Sequence, residues 1–270
     1  IRVAGMTADE AAFLDIEGLA RYAERSGAVA AALVEYHRQR RTAVRLQRSL
    51  LPRSEPTAPG FDVAARYAPG AVGLTVGGDW YDITVCEHRV VFSVGDVSGS
   101  GVDAAALMGR LRLLARGELE RSGDVAATLR LLDGVCATAE TMATMLVVEV
   151  DRTSGSARIW SAGHLPPMAL VDDEVLVPEL AVDPPLGYLD HLSGGLSDPV
   201  ALSLPPGAGL VLFTDGLVER RDEPLPAGLE RLRAGIRPEM ELDRLIDALL
   251  SDTGEGPADD IAVLALRRAP

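Results

Sequence analysis

The sequence predicts an α+β fold preceded by a helical linker. Three observations point there. Short β-type runs come in groups, at 61–67, 90–94, 144–150, 157–161, 210–213 and 261–266. Two adjacent helical patterns, 102–120 and 125–138, separate the second run from the third, where a doubly wound sheet would place a strand between helices. The segment 151–156, with Ser154-Gly155, has the composition of a hairpin turn, which makes the runs on either side antiparallel.

The elements follow in order. Thr7 with Glu10 three residues later forms a capping-box pattern, and Phe13, Ile16, Leu19 or Ala20, and Ala23 continue at helical spacing. Ser26-Gly27 is a candidate break, although a glycine inside a helix costs only about 1 kcal/mol. Val29, Leu33, Tyr36, Ala43 and Leu50 resume the spacing, with Arg40 and Gln47 interrupting the seam, and Leu51-Pro52 ends it because the residue before proline avoids the helical region. Residues 1–55 fit two descriptions. One is a solvated helix packed on its own domain. The other is a connector that forms a homodimer and carries the tail of an upstream sensor domain, and Ile1 in place of Met agrees with a segment of a longer chain. After the Pro- and Gly-bearing loop 54–60 the β-type runs begin, and residues 56–270 form the second unit, with a last helix at 241–250 before the final strand.

Composition narrows the function. Apolar residues make up 47% and charged residues 24%, the balance of a globular protein. No apolar run approaches the ~18 residues of a membrane span, and no basic, apolar leader opens the sequence. Cys86 and Cys136 are the only cysteines, which agrees with a reducing, cytoplasmic setting. The net charge is −14, and every base is arginine. Residues 1–55 carry nine Arg and seven acids, leaving 17 Arg against 33 acids for the remainder. So acidic a body repels nucleic acid and anionic membranes and tolerates bound cations. With no lysine there is no P-loop.

Four acidic motifs stand out: Gly77-Gly78-Asp79-Trp80-Tyr81-Asp82, Gly95-Asp96-Val97-Ser98-Gly99-Ser100-Gly101, Thr214-Asp215-Gly216 and Asp259-Asp260. Singly, each could be a turn or a cap. Jointly they place Asp96, Asp215 and Asp259-Asp260 at the ends of core strands, where an unpaired charge is costly. A divalent cation removes that conflict, and oxygen-only ligands suit Mg²⁺ or Mn²⁺. The four histidines are scattered and no zinc spacing occurs. Two hard ions sharing a carboxylate are suited to attacking phosphate esters, so the residues point to a metal-dependent phosphoester hydrolase.

These motifs, together with Leu46-Gln47-Arg48-Ser49-Leu50-Leu51-Pro52, Ala64-Ala65-Arg66-Tyr67-Ala68-Pro69, Ser161-Ala162-Gly163-His164, Pro185-Leu186-Gly187 and Phe213-Thr214-Asp215-Gly216-Leu217-Val218-Glu219, occur in one order across residues 46–270. In this the sequence resembles the bacterial PPM-type serine/threonine phosphatases of the sporulation protein E and RsbU group. The resemblance implies an α/β/β/α sandwich of two antiparallel sheets with a binuclear Mn²⁺ or Mg²⁺ centre at one edge. It implies Asp96 as the residue bridging both ions, Asp215 and Asp259 completing one, and Asp79 with the backbone carbonyl of Val97 completing the other. It also implies hydrolysis of phosphoserine or phosphothreonine by a metal-bridged hydroxide, with Asp96 and Asp215 central to catalysis. The implied partner is a phosphorylated anti-sigma-factor antagonist.

The family commonly has Gly-Asp-Val-Ser-Gly-His-Gly, whereas this sequence has Ser100 at the histidine position. Serine cannot donate a proton near neutral pH as imidazole can. That leaves a second reading open, a catalytically weak or inactive phosphatase-fold module that binds a regulatory partner. His164 reads as a hydrogen-bonded turn residue or as an acid–base group, and Asp82 and Asp260 rank below Asp79 and Asp259 as ligands. Gly99-Ser100-Gly101-Val102-Asp103-Ala104 fits a dinucleotide fingerprint, but Asp96 would face the pyrophosphate and a second helix follows where a strand is needed. No Gly-x-Ser-x-Gly elbow supports a serine hydrolase.

Overall fold

A computed structural model describes residues 56–70, 77–181, 183–189, 196–220, 223–253 and 259–270, and before them Gly27 and Val34, both helical and exposed. The capping box and the dimer-forming role lie outside the described residues, as does the helix expected from Val29 to Leu50 apart from Val34. The described elements run β1 (Phe61–Ala68), β2 (Trp80–Val85), β3 (Arg89–Val97), α1 (Val102–Ser122), α2 (Val125–Thr138), β4 (Ala143–Asp151), β5 (Ser156–Ala162), β6 (Met168–Val171) and β7 (Glu174–Leu176). They continue with β8 (Val200–Ser203), β9 (Gly209–Phe213), a 3-10 turn at Asp215–Leu217, α3 (Leu225–Gly235), α4 (Leu242–Ser251) and β10 (Ile261–Arg268).

Two five-stranded antiparallel sheets form, with order β1-β10-β9-β6-β7 in sheet I and β2-β3-β4-β5-β8 in sheet II. They pack face to face, α1 and α2 cover sheet II, and α3 and α4 cover sheet I. This is the α/β/β/α sandwich that the sequence resemblance implied. The central strands show why their sequences are continuously apolar rather than alternating. In β3, Val90, Phe92 and Val94 enter the core between the sheets while Val91 and Val97 face the helices. In β10, Ala262, Leu264 and Leu266 face sheet II while Ile261, Val263 and Ala265 meet α3 and α4. A strand buried on both faces has no solvent side on which to place polar residues. Each large apolar side chain so buried contributes about 1.5–3 kcal/mol.

All six expected runs are strands, and the two paired helices and the helix before β10 are present. Four strands and α3 go beyond the expectation. β2 carries Asp82 in its centre, which masks its apolar pattern. β6, β7 and β8 have only three or four residues each, too short for periodicity to register. α3 begins at Leu225-Pro226, where proline suits the first turn of a helix but reads as a breaker in sequence.

Candidate metal centre

The acidic motifs meet because antiparallel pairing brings their strand ends together. Trp80 pairs with Gly95, so Asp79, just ahead of β2, lies beside Asp96 near the end of β3. In sheet I, Val263 pairs with Phe213, so Asp215, just past β9, lies beside the entry to β10, where Asp259 and Asp260 sit. Asp79 is buried, Asp96 and Asp215 are half-buried, and Asp259 is exposed.

The electrostatics record the crowding. Asp79 and Asp96 share a hydrogen bond, and burial with the neighbouring Asp96 charge holds Asp79 well above the ordinary carboxylate range. Burial pushes Asp96 up to about 7, with Asp215, Asp259 and Asp260 adding to the rise and the Asp79 hydrogen bond opposing it. Burial, then Glu219 and Asp259, push Asp215 up to about 6. The leading charged neighbours that move Asp96 and Asp215, among the described residues, are acids: Asp215, Asp259 and Asp260 for the one, Glu219 and Asp259 for the other. That is the signature expected of carboxylates arranged for a cation.

Backbone geometry opens the same corner. A Cβ on Gly78 would lie 2.3 Å from the Val97 carbonyl oxygen, so only glycine leaves that oxygen room. A Cβ on Gly77 would lie 1.2 Å from Asp260 Oδ2. Asp260 is buried and spends its carboxylate inward, accepting from the Gly70 N–H at 2.7 Å and from the hydroxyl of Tyr67, whose own ionisation burial and Asp260 push up. Its neighbour Asp259 accepts the Asp260 N–H at 2.8 Å and keeps an exposed carboxylate at the rim.

The remaining candidates sit elsewhere. Asp82 turns toward α1, where Arg116 Nε donates to it at 3.0 Å, a second Arg116 nitrogen also donates, and Arg112 lies 3.4 Å away. His164 is half-buried, and both ring nitrogens are engaged: Nε2 donates to the Phe213 carbonyl at 3.0 Å and Nδ1 accepts from the Thr144 hydroxyl at 2.7 Å. A carbonyl can only accept, so the tautomer is fixed, and burial lowers the pKa to about 4. His164 is a neutral structural residue near pH 7. Ser100 lies exposed in the loop between β3 and α1. Thr214 was not singled out by sequence reasoning, yet its buried hydroxyl donates to Asp79 Oδ2 at 2.6 Å. The available signal was its place between an apolar strand and Asp215.

Among the described residues, no three His, Cys, Asp or Glu side chains are grouped as a ready-made metal cage. Mg²⁺ and Mn²⁺ do not require one, since such ions keep several waters and take one or two carboxylates each. The donor set, carboxylates plus one carbonyl beside them, therefore fits hard divalent ions and no softer metal. Among the described residues no helix is long and apolar enough to cross a membrane.

The family model for Stage II sporulation protein E (SpoIIE) matches residues 86–269. Among solved structures, the RsbU and RsbW domains of a Mycobacterium tuberculosis protein are 33% identical, with a TM-score of 0.70 over 82% of this chain. This chain spans 63% of that one. The SiaA-PP2C domain of Pseudomonas aeruginosa is 22% identical with a TM-score of 0.69, covering 88% of this chain and 98% of its own. The PP2C phosphatase domain of SpoIIE from Bacillus subtilis, with a fragment of its regulatory domain, is 20% identical with a TM-score of 0.65, covering 77% and 64%.

Proposed function

This chain belongs to the stage II sporulation protein E family of PP2C-like phosphatase domains, and from that premise we propose that it is a metal-dependent phosphoprotein phosphatase. Its substrate is a regulatory protein phosphorylated on serine or threonine, in particular an anti-sigma-factor antagonist. The observation that carries the reading is the convergence of Asp79, Asp96, Asp215 and Asp259 from two sheets, where the described neighbours that most raise Asp79, Asp96 and Asp215 are other acids.

Two Mn²⁺ or Mg²⁺ ions bound there would acidify a water and neutralise the charge on the phosphoryl oxygens. The chain's own residues do the rest. Asp96, central to the cluster, would hold both ions. Asp79 and the Val97 carbonyl would hold one, and Asp215 with Asp259 the other. Ion binding there would displace the proton held between Asp79 and Asp96 and so would tighten as pH rises. His164 cannot shuttle protons, because both ring nitrogens are already engaged in the fold. Ser100 offers no group that titrates near neutrality, so protonation of the leaving serine or threonine oxygen falls to water. The partnership with a sigma-factor regulator draws support from the relative that carries RsbU and RsbW domains.

The test is hydrolysis of an aryl phosphate with and without millimolar Mn²⁺ or Mg²⁺, for the wild type beside Asp96→Asn. Metal-stimulated turnover, lost in the variant, is the expected result. Calorimetric Mn²⁺ binding without turnover would favour the binding-module reading, and absence of both would remove the metal centre.

A further inference from the structure

The two halves of the centre belong to different sheets. Asp79 and Asp96 come from sheet II, Asp215 and Asp259 from sheet I. Apolar packing between the sheets is non-directional and does not fix the separation of two pairs of carboxylates. Two side-chain struts cross the gap at this end. The Thr214 hydroxyl donates to Asp79 Oδ2 at 2.6 Å and accepts from the Ala262 N–H at 2.8 Å. It thereby joins a sheet II carboxylate to the β9–β10 pairing, which the Thr214 N–H continues by donating to the Ala262 carbonyl at 3.0 Å. The second strut is His164, which follows β5 of sheet II and donates to the Phe213 carbonyl of sheet I. Its other nitrogen is braced by Thr144, the residue that pairs with Asp96 across β3 and β4. Both struts land on the adjacent residues Phe213 and Thr214, directly ahead of Asp215.

We propose that Thr214 and His164 are positioning residues that set the spacing of the two carboxylate pairs. Thr214 acts directly on Asp79, and His164 acts by fixing the Phe213-Thr214 backbone. The inference rests on reading these carboxylates as ion ligands. Hydrogen-bond partners behind metal ligands orient them, and their loss weakens metal binding about 10- to 100-fold.

The experiment is Mn²⁺ titration calorimetry on the metal-free protein, for wild type, Asp215→Asn, Thr214→Val, Thr214→Ser and Thr144→Val. Thr214→Val keeps the shape and deletes the hydroxyl. It is expected to weaken Mn²⁺ binding at least about tenfold, and Thr214→Ser, which keeps the hydroxyl, restores binding. In an Asp79→Ala background Thr214→Val costs no further affinity, since the hydroxyl then has no ligand to orient; a full further loss there would overturn the inference. Binding by Thr214→Val within twofold of wild type also overturns it. If Thr214→Val does not fold, Thr144→Val, which lies outside the ligand set, decides. A several-fold loss of affinity reversed by Thr144→Ser supports the joint, and unchanged affinity overturns it. Asp215→Asn separates the two levels. Wild-type affinity in that variant, or no Mn²⁺ binding by the wild type, removes the metal-centre reading and the inference with it. Loss in Asp215→Asn with none in the threonine variants removes the inference alone.

Discussion

Asp79 and Asp82 lie three residues apart, and both are buried, yet the fold treats them in opposite ways. Asp82 faces α1 and is compensated by two arginines, Arg112 and Arg116. Glu149, on β4, is handled likewise, gripped between Arg89 and Arg158. Asp79 faces the strand ends and meets Asp96, a hydroxyl and further acids. Arginines compensate the buried Asp82 and Glu149, and among the described residues no arginine forms a salt bridge with the cluster. An acidic cluster of this kind agrees with the proposed ion site, whereas the Asp82 and Glu149 networks serve the fold itself.

Substitutions on each side should separate these roles. The largest effect falls on activity: Asp96→Asn is expected to lower Mn²⁺-dependent aryl phosphate hydrolysis on the order of 10³-fold, the scale of deleting a charge-stabilising group. The same change should raise the metal-free melting temperature, because it removes repulsion, and a drop in that temperature would contradict the comparison. Asp82→Ala should do the reverse. It leaves Arg112, whose Nε already lacks a hydrogen-bond partner, buried beside no carboxylate, and should cost about 3 kcal/mol in urea unfolding. Turnover per folded molecule should persist.

A pH series sharpens the contrast further. Asp96 and Asp215 have folded pKa values raised to about 7 and about 6. The folded state therefore holds protons that the unfolded chain has lost, and the stability this gives disappears as pH rises through the folded values. His164, lowered to about 4, works in the opposite sense, withdrawing stability only as pH falls below its unfolded value of about 6.5. Between pH 6.5 and 8 the aspartates outweigh His164, and the metal-free protein should lose roughly 0.5 kcal/mol. Saturating Mn²⁺ should abolish or invert that slope, and an identical slope with and without the ion would break the argument. The smallest effect belongs to Arg158→Ala. Arg158 is half-exposed, retains Glu149 contact alongside Arg89, and lies over Trp160 at 5.3 Å. Its loss should cost at most about 1 kcal/mol in thermal unfolding.

Much of this was legible in the sequence, for identifiable reasons. Strands buried on both faces, such as β3, β4 and β10, announce themselves as apolar runs, and the acids at their ends stand out against them. Asp96, Asp215 and the Asp259-Asp260 pair could thus be named from position, Asp79 entered only through the family resemblance, and the approach of these acids to one another follows from antiparallel pairing. Long-range partners were not legible. Nothing local tells Asp82 from Asp79, because the arginines that claim Asp82 come from 30 and 34 residues further on. Thr214 passed as an ordinary residue before a turn, since its role depends on a carboxylate 135 residues away. β7 and β8 escaped notice because edge strands of three or four residues exist only by virtue of the neighbours they pair with.

The strand order has a consequence for synthesis. β10 is the last of the described strands to leave the ribosome, yet it sits between β1, the earliest, and β9. Until it inserts, β1 has no partner in its sheet, Thr214 has no Ala262 to hold, and Asp259 is absent from the rim. The nascent polypeptide can complete sheet II with Asp79 and Asp96 well before then, but it cannot assemble both halves of the centre. The two carboxylate pairs therefore come together only with β10, and a product that stops short of it lacks both Asp259 and the Ala262 partner of Thr214.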